Sequence, residues 1–189
     1  MVEKMTKKKL YVLHGYTSNR NANWFPWLKQ QVEEKMKKQV KVLQLPNADH
    51  PKPAEWDQTC SRKISSENGI TLVGHSLGCI EALRFLSQHE IKDVNLVLVS
   101  GFDEKLHTLP ELAEFTEPSI NYAEVLPKLK RVVVISALDD DIVPYEYSET
   151  LARHLHAKFI LMPEGKHFID AYGTVKLPVV YQELAAMLA

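Results

Sequence analysis

The sequence predicts a single-domain α/β fold: a doubly wound, six-stranded, mainly parallel sheet with helices on both faces. Three observations lead there. Six short runs rich in Val, Ile and Leu are spread along the 189 residues, most of them separated by stretches with helical apolar spacing. The strongest runs are almost continuously apolar, the pattern of strands covered on both faces, and such sheets are parallel. One run ends in Gly74-His75-Ser76-Leu77-Gly78, a strand-to-helix turn so tight that it demands small residues around its serine. Right-handed crossovers then favour an open sheet wound in both directions.

Taken in order, residues 1–8 read as a basic, solvated tail with Lys4, Lys7 and Lys8, leading into a strand over 9–14. Trp24 to Lys38 has the spacing of an amphipathic helix with a basic end, and Val40 to Leu45 reads as the second strand. Ala54 to Glu67 reads as a helix. Gly69-Ile70-Thr71-Leu72-Val73 is a buried strand that feeds the turn, and apolar residues at 77, 80, 83 and 86 give the helix after it one buried face. Val94 to Val99 and Arg131 to Ala137 are further strands. Residues 100–130 between them break the rhythm; with Phe102, Phe115 and Tyr122 they suit a small lid, a pocket wall or an ordinary crossover helix. Tyr145 to His156 reads as a helix, Lys158 to Met162 as the sixth strand and Leu177 to Leu188 as the closing helix.

An apolar fraction of 45% supports a substantial core, and 189 residues leave little room for a second domain. With 23 basic against 24 acidic residues, the net charge of −1 points to no nucleic-acid partner and no charged surface. No apolar run has the length of a signal-peptide core or a membrane span. Cys60 and Cys79 show neither metal nor redox spacing, so a reducing, cytoplasmic compartment is expected. Cys79 reads as a small apolar residue on the buried side of its helix.

A serine hydroxyl is a weak nucleophile at neutral pH and needs a base, usually histidine, with an acid to orient it. Where the nucleophile sits on such an elbow, the chain order is serine, acid, histidine. Downstream of Ser76, the loop Asp139-Asp140-Asp141 follows one strand, and Gly165-Lys166-His167 follows the next. Catalytic groups of open α/β sheets gather at the carboxyl ends of strands, so Ser76, one of the three aspartates and His167 are expected on one edge. The first strand ends there too, in His14-Gly15-Tyr16. Backbone N–H groups of Leu77, just after the serine, and of Tyr16 are the expected oxyanion donors. The start of a helix at Ser76 favours negative charge in the same place.

Together these segments resemble the α/β-hydrolase fold. The small size and Leu45-Pro46-Asn47, with Pro53 and Trp56 nearby, are similar to the compact serine hydrolases of the retinoblastoma-binding-protein-9 and YdeN type. The resemblance spans nearly the whole chain. It implies a minimal hydrolase sheet of six parallel strands, without the amino-terminal hairpin of larger relatives. It also selects Asp140, four residues before Pro144, as the acid; spacing alone leaves Asp139 and Asp141 open. The implied function is a serine hydrolase, carboxylesterase-like, that cleaves a small acyl ester through Ser76, His167 and Asp140 and an acyl-enzyme. It would use no cofactor and no metal, and its partner would be a small-molecule acyl substrate, with no nucleic acid and no membrane. Amide or thioester cleavage by the same residues, and a non-catalytic binding module on this fold, are the alternatives.

Other residues carry plainer readings. His75 reads as a packed histidine and His14 as support for the oxyanion loop. His154 and His156, two apart on a helix, face different ways and make a poor metal pair. Trp24 follows the oxyanion loop and is placed to anchor a helix or wall the acyl pocket. Leu77-x-Cys79-x-Glu81 matches a short motif that binds the retinoblastoma protein, but recognition needs an extended peptide and these residues are expected to be helical and partly buried.

Overall fold

The computed structural model describes residues 9–189; the basic tail read at 1–8 lies outside the described residues. Six strands, β1 (Leu10–Leu13), β2 (Val40–Val42), β3 (Thr71–His75), β4 (Val94–Val99), β5 (Leu129–Ala137) and β6 (Lys158–Met162), form one sheet in the order β2-β1-β3-β4-β5-β6. Every pairing is parallel, with Val12 opposite Val73, Val73 opposite Val97 and Val97 opposite Val133. The sheet direction switches between β1 and β3, the place where open α/β sheets form their ligand crevice.

Alternation along the strands divides the core in two. Leu10, Val12, Val73, Val97 and Ile135 pack under α1 (Phe25–Lys35) and α6 (Pro178–Leu188), through Phe25, Leu28, Val180 and Leu184. Tyr11, Leu13, Leu72, Leu96 and Val134 pack on the other face. That face is covered by α2 (Pro53–Lys63), α3 (Leu77–Gln88), the short α4 (Tyr122–Val125) and α5 (Tyr145–His154). The single chain thus forms one domain with both faces of its sheet covered.

Several boundaries differ from the sequence reading. Helix α1 ends at Lys35 rather than Lys38, because Lys37 takes a left-handed conformation (φ 54°) that turns the chain toward β2. Helix α2 ends at Lys63 rather than Glu67, where Ile64 becomes extended and buries its side chain. Strand β3 continues through Gly74 and His75, which pair with Leu98 and Val99, so the turn begins at the serine itself. The long connection from β4 to β5 holds a 3-10 turn at Pro110–Thr116 and α4, and buries Phe102, Leu112, Phe115 and Val125 in the core. No described helix is long and apolar enough to cross a membrane.

Candidate active site

Ser76 stands between β3 and α3 with φ 53° and ψ −123°, a conformation that costs a non-glycine residue on the order of 1–3 kcal/mol. Its own N–H donates to Val99 O at 2.9 Å, and its carbonyl accepts the Cys79 N–H at 2.9 Å, which closes the elbow. Gly78 lets α3 lie against β1: a Cβ there would fall within 2.7 Å of the His14 carbonyl oxygen and closer still to that of Leu13. Gly15 backs the serine from the other side, where a Cβ would come within 2.9 Å of Ser76 Cβ.

The three adjacent aspartates differ sharply in their surroundings. Asp140 is buried. Its Oδ1 accepts the N–H groups of Ile142 (3.0 Å) and Val143 (2.9 Å), and its Oδ2 accepts the Ser100 hydroxyl (2.8 Å). His167 Nδ1 lies 2.9 Å from that same Oδ2 and 3.1 Å from Oδ1. A carboxylate only accepts, so Nδ1 carries the proton and Nε2 is the free base of the ring. Asp139 instead accepts the Lys166 N–H at 2.8 Å, and exposed Asp141 meets Tyr172 Oη at 3.5 Å. Adjacent residues of one loop therefore grip adjacent residues of the next.

Ser76 and His167 open into one cavity of about 520 Å³, bordered by Tyr16, Leu109, Ile142 and Ile169. Tyr16, three residues past the end of β1, borders this cavity, while Leu77 buries its side chain in the core at the first position of α3. Among the described residues, neither the Tyr16 nor the Leu77 N–H has a protein acceptor. Asn23 and Asp170 tie two walls together: the Asn23 N–H donates to Asp170 Oδ2 (3.2 Å) and the Asp170 N–H to Asn23 Oδ1 (3.0 Å). A second groove of about 620 Å³ lies between α1 and β2, where Lys29 is already paired with Glu33; it offers no nucleophile.

His14 lies just after β1. Its Nε2 accepts the Leu45 N–H (3.0 Å), so Nδ1 is the donor to Gly15 O (2.8 Å), and burial lowers its pKa. Trp24 does not wall the cavity. It is fully buried, with its ring edge-on to Phe25 and His75, because the loop before α1 turns it into the core. The expected packed state of His75 holds, with one addition: Nε2 lies 2.8 Å from the His167 carbonyl oxygen. Leu77, Cys79 and Glu81 are fully buried on α3 and inaccessible as a peptide motif. His154 is committed to Asp103, at 2.6 Å from Oδ2, and no described cluster of three or more His, Cys, Asp or Glu is arranged to hold a metal. Sequence reasoning missed Ser100 and the His75 tie. Ser100 follows β4 on the same edge as the other groups, and that position was the available signal.

The family model for serine hydrolases matches residues 10–186. This chain belongs to the serine hydrolase family. As a member, it is 35% identical to YdeN of Bacillus subtilis over 182 residues, 95% of each chain. The crystal structure of that ydeN gene product superposes with a TM-score of 0.92, covering 95% of this hydrolase and 98% of the other chain. Serine hydrolase RBBP9 of Rattus norvegicus is 22% identical over 147 residues, 77% of each chain. Mouse alpha/beta hydrolase domain-containing protein 10 shares the fold at 15% identity, with a TM-score of 0.69 over 95% of this chain and 89% of the other.

Proposed function

We propose that this family member cleaves small acyl esters, in the manner of a carboxylesterase, through Ser76, His167 and Asp140. Ser76 Oγ attacks the acyl carbonyl while His167 Nε2 takes its proton. The same proton then passes to the leaving alcohol, and the acyl group stays on Ser76 until a water, activated by His167, releases it. Asp140 holds the imidazole and stabilises its cationic form. The N–H groups of Leu77 and Tyr16 receive the oxyanion, each such donor being worth about 2.7–4 kcal/mol in the transition state. The observation that carries this reading is the buried contact between Asp140 and His167 beside a strained serine in one cavity.

A cavity of about 520 Å³ suits a short acyl chain and a small leaving group. The reaction needs no cofactor, and the partner is a small-molecule acyl compound rather than a nucleic acid or a membrane. Two free, buried cysteines suit a reducing, cytoplasmic setting. A fluorophosphonate probe tests the proposal, with peptide mapping of the adduct. The adduct is expected on Ser76, together with turnover of p-nitrophenyl esters of short acids, and Ser76→Ala should lose both while keeping its fold. Labelling elsewhere, or turnover retained in the alanine variant, would rule out Ser76 as nucleophile.

A further inference from the structure

We infer that His75, the residue before the nucleophile, is a positioning residue for His167: its imidazole N–H holds the backbone carbonyl of the base and thereby fixes where that ring sits. This inference rests on the function proposed above. The Nε2 atom lies 2.8 Å from the His167 carbonyl oxygen. A carbonyl only accepts, so Nε2 is the protonated nitrogen and the donor. Nδ1 is left as a bare lone pair, without a partner among the described residues. The ring is 2% exposed and stands edge-on to Trp24 and Phe25, with centroids 5.9 and 5.8 Å away. Burial, reinforced by the neighbouring His167, pushes its pKa down to about 3, so it stays neutral and does not compete as a base.

The loop around the base explains why a tie is needed. Lys166 and Phe168, on either side of His167, have φ of 50° and 52°; such left-handed positions persist only where the surroundings over-determine the backbone. Three bonds do so here. The Lys166 N–H donates to Asp139 (2.8 Å), the Phe168 N–H donates to Gly165 O (3.0 Å), and His75 donates to His167 O. The Phe168 N–H and the His167 carbonyl belong to one peptide group, so its two polar ends are held from opposite sides, and His75 holds the carbonyl end. The two imidazoles have centroids 5.0 Å apart and are tilted by 46°, so His75 also limits the swing of the catalytic ring. Misplacing a base by about 1 Å is enough to slow a reaction by about 100-fold.

The test compares His75→Met, which removes the donor at similar bulk, with His75→Gln, whose amide N–H reaches the place of Nε2. Rates on a p-nitrophenyl ester are normalised to serine titrated by fluorophosphonate. The Met variant should lose about 10- to 100-fold in kcat with little change in KM, whereas Gln restores most of it. The downfield NMR resonance of the His167 Nδ1 proton should survive in Gln and broaden or shift in Met. A kcat for Met within about twofold of the parent, or Gln as slow as Met, would overturn the inference. If Met does not fold, Gln is compared with Asn, whose shorter amide falls short of the carbonyl; equal activity then overturns it. The resonance comparison needs no turnover. It therefore decides the role of His75 even if the parent fails to label with fluorophosphonate, which would count against the esterase reading instead.

Discussion

Replacing Asp140 with Asn removes one charge and no volume, and the hydrogen bonds around it dictate how the new amide must sit. Two backbone donors, Ile142 N–H and Val143 N–H, meet Oδ1 at 3.0 and 2.9 Å, and only an oxygen satisfies them. The asparagine oxygen must therefore face them, which puts its amide nitrogen at the position of Oδ2, against Ser100 and His167 Nδ1. An amide N–H only donates. His167 Nδ1 stands nearer the Oδ2 position than Oδ1, at 2.9 against 3.1 Å, so it becomes the acceptor of that amide, its proton moves to Nε2, and Nε2 can no longer take one from the serine. The same wrong-tautomer substitution lowers turnover by about 10⁴-fold in a Ser-His-Asp protease, about 5 kcal/mol of barrier. Steady-state kcat/KM on p-nitrophenyl acetate, with circular dichroism to confirm folding, measures it. Asp139→Asn keeps an oxygen for the Lys166 N–H, and Asp141→Asn changes an exposed group; both should stay within a few-fold of the parent. An Asp140→Asn variant that keeps more than about a tenth of its activity would refute the reasoning, as would a larger loss at Asp139.

Two further outcomes are expected. Ser100→Ala takes one of the two partners from Asp140 Oδ2; a hydrogen bond to a charged group is worth about 1.5–3 kcal/mol, so kcat should fall roughly tenfold with KM unchanged, and a loss below twofold would show that His167 alone holds that oxygen. Burial, with Asp57 nearby, raises the Glu81 pKa to about 8 from 4.5, and both its oxygens lack hydrogen-bond partners among the described residues. Between those two pH values the folded chain keeps a proton that the unfolded chain has released, so this group makes stability fall as pH rises through the window. Glu81→Gln should flatten the dependence of Tm on pH and raise Tm above the parent at pH 8–9 in a fluorimetric melt; parallel curves for the two proteins would dismiss Glu81 as the titrating group.

The strands were legible because residues buried on both faces must be apolar whatever their neighbours, and Val94–Val99 shows this most plainly. Helix ends were less so. Ile64 continues the apolar spacing of α2 yet leaves the helix, because a tertiary contact outweighs local preference. The elbow was visible in its glycines, but pairing of His75 with Val99 carries the strand two residues farther than composition suggested. Three consecutive aspartates are chemically equal in a sequence; burial and a pair of backbone N–H donors distinguish Asp140. Ser100 drew no reading, and Trp24 read as a helix anchor or a wall of the acyl pocket, because neither has a sequence pattern that specifies its partner.

The double grip between the loops after β5 and β6 has an evolutionary consequence. Asp139 holds Lys166 while Asp140 holds His167, so the loops meet in register like two teeth of a zip. Inserting one residue into either loop would slip both contacts at once, and no single point mutation could restore them. These loops are therefore bound to a shared length and must diverge as a pair. The β4–β5 connection is held at its start, where Ser100 donates to Asp140, and by Phe102, Leu112 and Phe115 in the core; Leu109, between these anchors, borders the cavity and is the position free to vary. Descendants of this scaffold would acquire new substrates there and leave the acid and base where they are.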